Sequence, residues 1–464
     1  MNAPSASLPP TAAPRMGGSR RRPAGPSLTP ASLKDGLAFL YFLPLFTLVF
    51  TRGDMFLFKE GLWPLRPTLG FFALLGPPFA LLFFRGIGGG WGRLLALPLR
   101  NAPLALPFIG LAALSLVTAV RPDAYWGESG KFILYPVYNA VVLLLAMALP
   151  LLPSFRRSFD KLVWAGFLTM VATLTADLFM PGFFAKHGSR AAGFAENPNG
   201  AAFLLALCCA VLTDPRRSRV YNLMVLSLGA FGLMLTLSRS GVLLFVLLLL
   251  SMSLVPLVDR RVRVRGQLAA VLLGVAGLVA AVGLMAILSS FEVGMFARHG
   301  AQDRAEQLAR ADLVDVSDSR VGLIRIYIEE ISKAPVLGRG SGFAAGQAKG
   351  PHNLYLLVWV NLGLAGLACF LLWLAGGLWM FVRRRSIAGS VVMIQVAAAS
   401  AFSHNLFENR GMLLVLGSLA TLSLVEYRSL MEYRSPVEHR SSAEARSEAT
   451  AGPSPRPGPA SGAV

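Results

Sequence analysis

Long apolar runs recur along this chain and constrain its fold more than any other feature. Ala102–Val120, Val220–Leu237 and Leu268–Leu288 are each long enough to cross a bilayer as a helix, which takes roughly 17–25 apolar residues. Hydrophobic residues make up 55% of the chain and charged residues only 14%, whereas soluble proteins carry about a quarter charged residues. The runs do not alternate polar and apolar residues as barrel strands do. The sequence therefore predicts an all-α polytopic membrane protein.

Hydropathy and helix breaks together predict about twelve transmembrane helices. We expect a transmembrane region over residues 35–425, between a disordered basic tail, 1–34, and a second disordered tail, 426–464, both of which have too few apolar residues to fold. The three cysteines lie inside apolar runs and are predicted to be small core residues. The predicted spans are Gly36–Phe50, Thr68–Phe84, Pro103–Val120, Phe132–Leu152, Leu162–Met180, Asn199–Thr213, Val220–Leu237, Ser240–Leu257, Leu268–Ser289, Asn353–Val382, Ile387–Ser403 and Met412–Val425.

The distribution of the basic residues predicts how the helices are oriented. The net charge is +19, but the arginines lie in short clusters between apolar runs rather than on one continuous face, so we predict no nucleic-acid partner. Starting from Arg20–Arg22, every second loop is basic, which places both termini in the cytoplasm. The alternate loops then face outward. They include a long one, residues 291–351, predicted to contain short helices.

The chemistry-bearing residues all fall in these outward loops. A glycine-rich stretch, Gly338–Phe343, precedes His352 and Asn353 at the start of an apolar helix. Neutral imidazole accepts a proton near neutral pH, which is what the activation of a sugar hydroxyl requires. A lone histidine at a helix start often acts only as a polar cap. Here Arg339 and further arginines lie on the same side, which favours a catalytic role.

Two outward arginines stand close to predicted membrane helices. Arg239 lies in the short turn between two apolar runs, where an uncompensated charge costs a few kcal/mol unless it snorkels to the interface or binds an anion. Arg190 precedes Asn197-Pro198-Asn199, where Asn197 is predicted to cap a helix that begins at Pro198.

Two further candidates come from the remaining outward loops. Arg320 lies in a predicted helix, Ser319–Lys333, capped by Asp318. That helix is interpreted either as an amphipathic surface helix or as an arm that presents Arg320 to a phosphate, and its pattern alone favours the first. His404 and its neighbour Asn405 form a second His-Asn pair, so His404 is a candidate for orienting the substrate.

At these residues the chain resembles the O-antigen ligase and O-antigen polymerase superfamily of bacterial membrane glycosyltransferases. The resemblance covers most of the chain from Gly36 to Val425 and is densest between Arg190 and Gly366. Each matching stretch is short, and their order, spacing and common side make the combination specific. The stretches are Arg190…Asn197-Pro-Asn199, Ser238-Arg-Ser-Gly241, Ser319-Arg320, Pro335-Val-Leu-Gly-Arg-Gly340, His352-Asn-Leu-Tyr-Leu356 and Gly363-Leu-Ala-Gly366.

The resemblance implies transfer of a glycan from an undecaprenyl diphosphate-linked donor to an acceptor hydroxyl, lipid A-core or a growing glycan, at the periplasmic face of the inner membrane. It implies an inverting, metal-independent reaction with no cofactor, in which Arg190, Arg239 and Arg320 bind the diphosphate and His352 is the general base. Secondary candidates are Asn353, Arg339, His404 and Asn199. The chain departs from the family pattern at Asn361, where an acidic residue is common, and at Ile324, where an aromatic is common.

Three alternatives remain open on the sequence. A polymerase and an oligosaccharyltransferase share these motifs with a ligase. The pattern around His352 and the single long loop before it favour the ligase. A transporter or flippase for lipid-linked oligosaccharides needs no histidine base and would leave ionisable residues within the membrane, of which Asp177 is the one candidate.

Overall fold

The computed structural model describes residues 30–85, 91–180, 183–184, 190–258, 318–403 and 405–429, together with part of 268–283. Within these ranges every regular element is a helix, so the all-α prediction is confirmed there. The α-helices, numbered in chain order, are α1 Pro30–Pro44, α2 Gly53–Lys59, α3 Pro67–Arg85, α4 Trp91–Arg100, α5 Ala102–Thr118, α6 Gly127–Ala148, α7 Pro153–Phe179, α8 Pro198–Leu212, α9 Arg219–Leu235, α10 Arg239–Val258, α11 Asp318–Lys333, α12 Leu354–Arg383, α13 Ile387–Ser400 and α14 Arg410–Ser429.

Several helices have the length and apolar character of membrane spans. Among the described residues four qualify, namely α7, α12, α14 and the stretch Ile133–Leu151 that includes most of α6. Two bent pairs raise the number to six if each counts as one span: α1 with α2, bent by 67°, and α4 with α5, bent by 95°. Shorter apolar helices are α3, α8, α9, α10 and α13. The total of twelve spans stays a prediction, and the predicted span Leu268–Ser289 lies mostly outside the described residues.

Helix α8 forms the centre of the packing. Helices α7, α9, α10 and α13 contact it, and nearly all of its side chains are buried, including the unpaired thiols Cys208 and Cys209. Glycines let its neighbours approach closely. A Cβ at Gly229 would lie 2.3 Å from the Cys209 Sγ, and one at Gly241 would lie 2.6 Å from the Ala202 Cβ. Small residues at helix contacts are the usual route to close packing inside membranes.

A second group of helices carries the glycine-rich loop. Helix α5 lies along α12, and α11 packs against α12 through Tyr327 and Ile331, which contact Val360 and Phe343. The Tyr327 hydroxyl donates to the Lys349 carbonyl at 2.8 Å. The predicted helix Ser319–Lys333 is thus present, one residue longer, and one of its faces is buried against α12.

The loops that carry the candidate residues lie between α7 and α8, α9 and α10, α11 and α12, and α13 and α14. The Arg217–Asp160 ion pair lies at the other end of α9, as expected for a basic loop on the opposite side. Since α9 has 17 residues, about 25 Å of helix separates the two ends.

Candidate functional site

A hydrogen-bonded cluster joins the loop before α8 to the turn before α10. The Arg190 guanidinium donates through Nε to the Thr236 carbonyl at 3.0 Å and through Nη2 to the Asn199 Oδ1 at 2.9 Å. The Ser238 hydroxyl donates to the same Asn199 oxygen at 2.9 Å. Two stretches singled out in the sequence therefore meet, and Asn199 is the residue that connects them.

The same serine fixes the position of Arg239. The backbone N–H of Gly241 donates to the Ser238 Oγ at 3.1 Å, which makes Ser238 the N-cap of α10 and Arg239 its first helical residue. Arg239 is half-buried. An arginine at a helix N-terminus is held where the helix dipole also favours an anion.

Asp177 holds the loop that carries Arg190. It is 2% exposed, near the end of α7. Its Oδ2 accepts from the backbone N–H groups of Ala192 at 2.9 Å and Gly193 at 3.0 Å, and its Oδ1 accepts from that of Phe184 at 3.1 Å. The ionisable residue that the sequence offered as a trace of transport therefore has a structural role here, as an acceptor for three backbone donors.

We expect Asp177→Asn to displace this loop and lower activity. The new amide N–H₂ faces at least one backbone donor, and an unsatisfied buried group costs about 1–3 kcal/mol. The measurements are the activity and the melting temperature of the membrane protein. Asp160→Asn, in the same helix but in an exposed ion pair worth at most about 1 kcal/mol, is the control. Equal effects of the two substitutions would contradict the role assigned to Asp177.

Left-handed backbone conformations concentrate in these loops. Glu196 has φ 56°, Leu237 φ 44° and His352 φ 50°, and none of them is glycine. Such conformations cost free energy for residues with a Cβ, and they persist where the surroundings impose them. Leu237 directly precedes the Ser238–Arg239 turn, and Glu196 precedes the α8 cap and forms an ion pair with Lys59.

The glycine-rich loop is bonded to a kink in α12. Gly363 interrupts that helix with φ 69° and ψ −167°. The kink frees carbonyls that accept from the loop, because the N–H of Arg339 donates to the Val360 carbonyl at 2.7 Å and that of Gly340 to the Asn361 carbonyl at 3.1 Å. The N–H of Leu364 donates back to the Pro335 carbonyl at 2.9 Å. The two motifs thus form one unit.

Side chains complete the attachment of this loop. The Ser341 hydroxyl lies 2.9 Å from the Ser115 Oγ and 2.8 Å from the Thr118 Oγ1, both on α5. Asn361, one of the two departures from the family pattern, accepts from the N–H of Ala344 through its Oδ1 at 3.0 Å.

Arg339 is held by protein groups on three sides. Its guanidinium lies 3.4 Å from carboxylate oxygens of Asp123 and of Glu330 and stacks over the Phe343 ring at 5.0 Å. These contacts hold Arg339 and the glycine-rich loop in place. A role of Arg339 in substrate binding stays a prediction.

His352 and Asn353 have different places at the start of α12. Asn353 is the N-cap, and its Oδ1 accepts from the N–H of Leu356 at 3.1 Å. The His352 side chain is exposed, one residue outside the helix. The capping role that the sequence allowed for the histidine therefore belongs to its neighbour.

A turn before α14 separates two cavities. The larger, of about 350 Å³, is lined by parts of α5, α6, the glycine-rich loop and α12, together with Asn405, Phe407 and Glu408. The smaller, of about 40 Å³, is lined by Asn199, by Ser240 and again by Asn405. We call Arg190, Asn199, Ser238 and the adjacent Arg239 the arginine cluster. Arg410 fixes the turn, because it donates to the Asp54 Oδ1 and the Pro67 carbonyl, both at 2.9 Å. Asn405 therefore lies between the arginine cluster and the larger cavity.

Two candidates cannot be placed. His404 lies outside the described residues, as does the side chain of Arg320, whose backbone is the third residue of α11. Among the described residues no group of three or more His, Cys, Asp or Glu side chains is arranged to hold a metal ion. The sequence reasoning missed the roles of Asp177, Ser238 and Asn361. Polar residues beside or within apolar runs were the available signal for all three.

The comparison with known families gives one result. Residues 223–371 match the family model described as O-antigen ligase. The matched segment contains most of α9, all of α10 and α11, the glycine-rich loop and the first part of α12, and so includes Arg239, Arg320 and His352. The resemblance to the O-antigen ligase superfamily is thereby confirmed. No curated protein matches the chain.

Proposed function

Since residues 223–371 match the family model described as O-antigen ligase, we propose that this protein transfers a glycan from an undecaprenyl diphosphate-linked donor to an acceptor hydroxyl. The version we favour is ligation of O-antigen to lipid A-core. The observation that carries the proposal most is the Arg190–Asn199–Ser238 cluster beside Arg239. It sets guanidinium groups next to a helix N-terminus, at the end of the fold that also holds His352.

In this proposal Arg190, Arg239 and Arg320 bind the diphosphate of the donor. A guanidinium presents paired N–H donors that match two phosphate oxygens, and it stays charged at any physiological pH. The bonds from Arg190 to Thr236 and Asn199 fix its orientation before substrate arrives. Preorganised charge of this kind lowers the barrier because it needs no rearrangement as the leaving group becomes more negative.

His352 acts as the general base. Its imidazole takes the proton of the acceptor hydroxyl while that oxygen attacks the anomeric carbon of the donor sugar. The bond from this carbon to the phosphate oxygen breaks, and its electron pair leaves with undecaprenyl diphosphate. Attack opposite the leaving group inverts the anomeric centre. Arginines offset the charge of the departing diphosphate, so the proposed reaction uses no metal and no other cofactor.

The proposed setting is the bacterial inner membrane, with the site on the periplasmic side. The chain crosses the membrane about twelve times, has both termini in the cytoplasm, and has residues 291–351 as a periplasmic loop. The support is the separation between the two ends of α9, with the Arg217–Asp160 pair at one and the Ser238 turn at the other. Membrane lipids surround the apolar helices.

Deletion of the gene tests this function and separates it from its alternatives. In a strain that makes a surface polysaccharide, we expect lipid A-core without attached polymer and accumulation of the lipid-linked donor, both reversed by complementation. Gel profiles of the lipopolysaccharide are the measurement. Single repeat units attached to core would instead identify a polymerase, and donor trapped on the cytoplasmic side would identify a transporter. An unchanged surface glycan would contradict all three.

A further inference from the structure

The larger cavity has the size and walls of a small-molecule site. Its volume of about 350 Å³ falls in the range of about 300–1,000 Å³ found for such sites. Helices α5, α6 and α12 form its apolar walls, the glycine-rich loop forms one edge, and the turn Leu406–Glu408 forms another. We call it the Asn139 cavity, after a buried polar residue in its wall.

The lining of the Asn139 cavity suits a neutral ligand with many hydroxyls. Its described polar groups are carboxamides, hydroxyls and one carboxylate, and no lysine, arginine or histidine is among the described lining residues. These residues offer no cation to a diphosphate. Carboxamides both donate and accept, as sugar hydroxyls require, and aromatic side chains supply apolar surface for the C–H faces of a ring. The relevant lining residues are Asn139, Gln347, Asn361, Asn405, Glu408, Phe108, Tyr135 and Phe407.

Asn139 supplies an independent sign of a ligand. Its side chain is 1% exposed, and its Oδ1 has no hydrogen-bond partner within the described part of the chain. A buried acceptor left unpaired costs about 1–3 kcal/mol. Two other polar lining groups are already bonded, since the Asn361 Oδ1 accepts from Ala344 and the Ser115 hydroxyl contacts Ser341. The Asn139 Oδ1 is itself buried, so a ligand hydroxyl would satisfy it once the amide turns this oxygen toward the cavity.

We propose that the Asn139 cavity binds one neutral sugar unit, with the Asn139 Oδ1 accepting a hydrogen bond from a ring hydroxyl and so selecting which sugar fits. The inference rests on the proposed glycan transfer and adds to it a specificity site apart from the arginine cluster. The sugar belongs either to the donor glycan or to the acceptor, which present the same chemistry. Asn405, which also lines the smaller cavity beside Asn199, lies between this sugar site and the diphosphate site.

Asn139→Leu is the variant that tests the site, with Val141→Ala as its control. Val141 lies in the same helix and is 39% exposed, whereas Asn139 is buried in the cavity wall. Leucine keeps the volume and removes the acceptor. Because the lost oxygen has no partner among the described residues, the melting temperature of Asn139→Leu should equal or exceed that of the wild type. A clear loss of stability would show that the protein itself uses the amide, and would overturn the proposal.

Purified protein is then assayed with the lipid-linked donor and the acceptor varied separately. We expect the KM for one of them to rise about three- to tenfold in Asn139→Leu, which corresponds to one neutral hydrogen bond. The substrate whose KM rises identifies the source of the sugar. Unchanged KM values for both, with an active wild type, would overturn this inference and leave the proposed function intact.

Ligand-observed NMR with the free core oligosaccharide and the free repeat-unit oligosaccharide gives a readout that needs no turnover. Saturation transfer from the wild type and from Val141→Ala, lost in Asn139→Leu, would support the sugar site even if transfer itself were absent. A wild type that neither transfers glycan nor binds these oligosaccharides would overturn both proposals. Binding that is equal in all three proteins would overturn the assignment of Asn139.

Discussion

His352→Ala is expected to abolish glycan transfer while leaving the protein abundant in the membrane. The loss of a positioned general base typically costs about 10²–10⁴-fold in rate. Folding should be spared, because the His352 side chain is exposed and Asn353, not His352, caps α12. The measurement is a surface-glycan gel alongside the quantity of the protein in isolated membranes.

His439→Ala is the matched control, since it removes another histidine in the predicted C-terminal tail. We expect full transfer from that variant and donor accumulation from His352→Ala. Normal glycan from His352→Ala would remove the base from the mechanism and would favour a transport function. Loss of the protein from the membrane would instead show that His352 has a structural role. It would contradict the expectation that folding does not depend on this exposed side chain.

Gly363→Ala should have the second large effect, through the backbone. Gly363 has φ 69°, and a Cβ there would lie 2.1 Å from the Val336 carbonyl oxygen. This backbone conformation, with φ 69° and ψ −167°, is essentially restricted to glycine and costs about 1–3 kcal/mol for other residues, and overpacking adds about 1–3 kcal/mol. We therefore expect the glycine-rich loop to separate from α12, with a fall of about 2–6 kcal/mol in the free energy of unfolding and loss of transfer.

Gly322→Ala provides the comparison. That glycine lies within α11, and a Cβ added to it meets no atom within 4 Å. Helix propensity predicts that alanine there leaves stability unchanged or raises it by up to about 1 kcal/mol. Thermal unfolding in detergent and transfer assays on both variants decide the matter. Retained activity in Gly363→Ala would show that the contact between loop and kink is dispensable.

Local sequence signals predicted the helices well where the helix ends are set by local chemistry. Asn197 does cap α8, with Pro198 as its first residue, because the capping oxygen and the donor lie two residues apart. The helix predicted after Asp318 is also present and begins at Asp318. Cys208 and Cys209 are buried, as their place within an apolar run predicts, whereas Cys369 is only partly buried.

Contacts between distant segments were beyond such reasoning. Asp177 is recognisable in the sequence as a charge in an apolar run, but its partners, Ala192 and Gly193, follow on a separate loop whose path depends on tertiary packing. The kink at Gly363 exposes carbonyls that only a folded loop can reach. Asn139 could be identified as polar in an apolar helix, yet its place in a cavity wall depends on the packing of α5, α6 and α12.

The bent helices explain why a hydropathy count and the described helices differ. Helices α4 and α5 meet at 95°, and α1 and α2 meet at 67°. Hydropathy shows where the apolar runs lie, but it does not show that two neighbouring helices are bent into such a pair. Some of the apolar helices have only 10–17 residues, fewer than the roughly 20 needed to cross a hydrocarbon core of about 30 Å. The prediction of twelve spans and its orientation therefore remain to be tested by labelling from each side of the membrane.

The proposed reaction cleaves the bond between the donor sugar and the diphosphate and passes the glycan to an acceptor. The most direct test reconstitutes the purified protein in liposomes with lipid-linked glycan and lipid A-core, and analyses the products by mass spectrometry. We expect glycosylated core and stoichiometric undecaprenyl diphosphate from the wild type, and neither product from His352→Ala. Intact donor moved across the bilayer with no new glycosidic bond would contradict it.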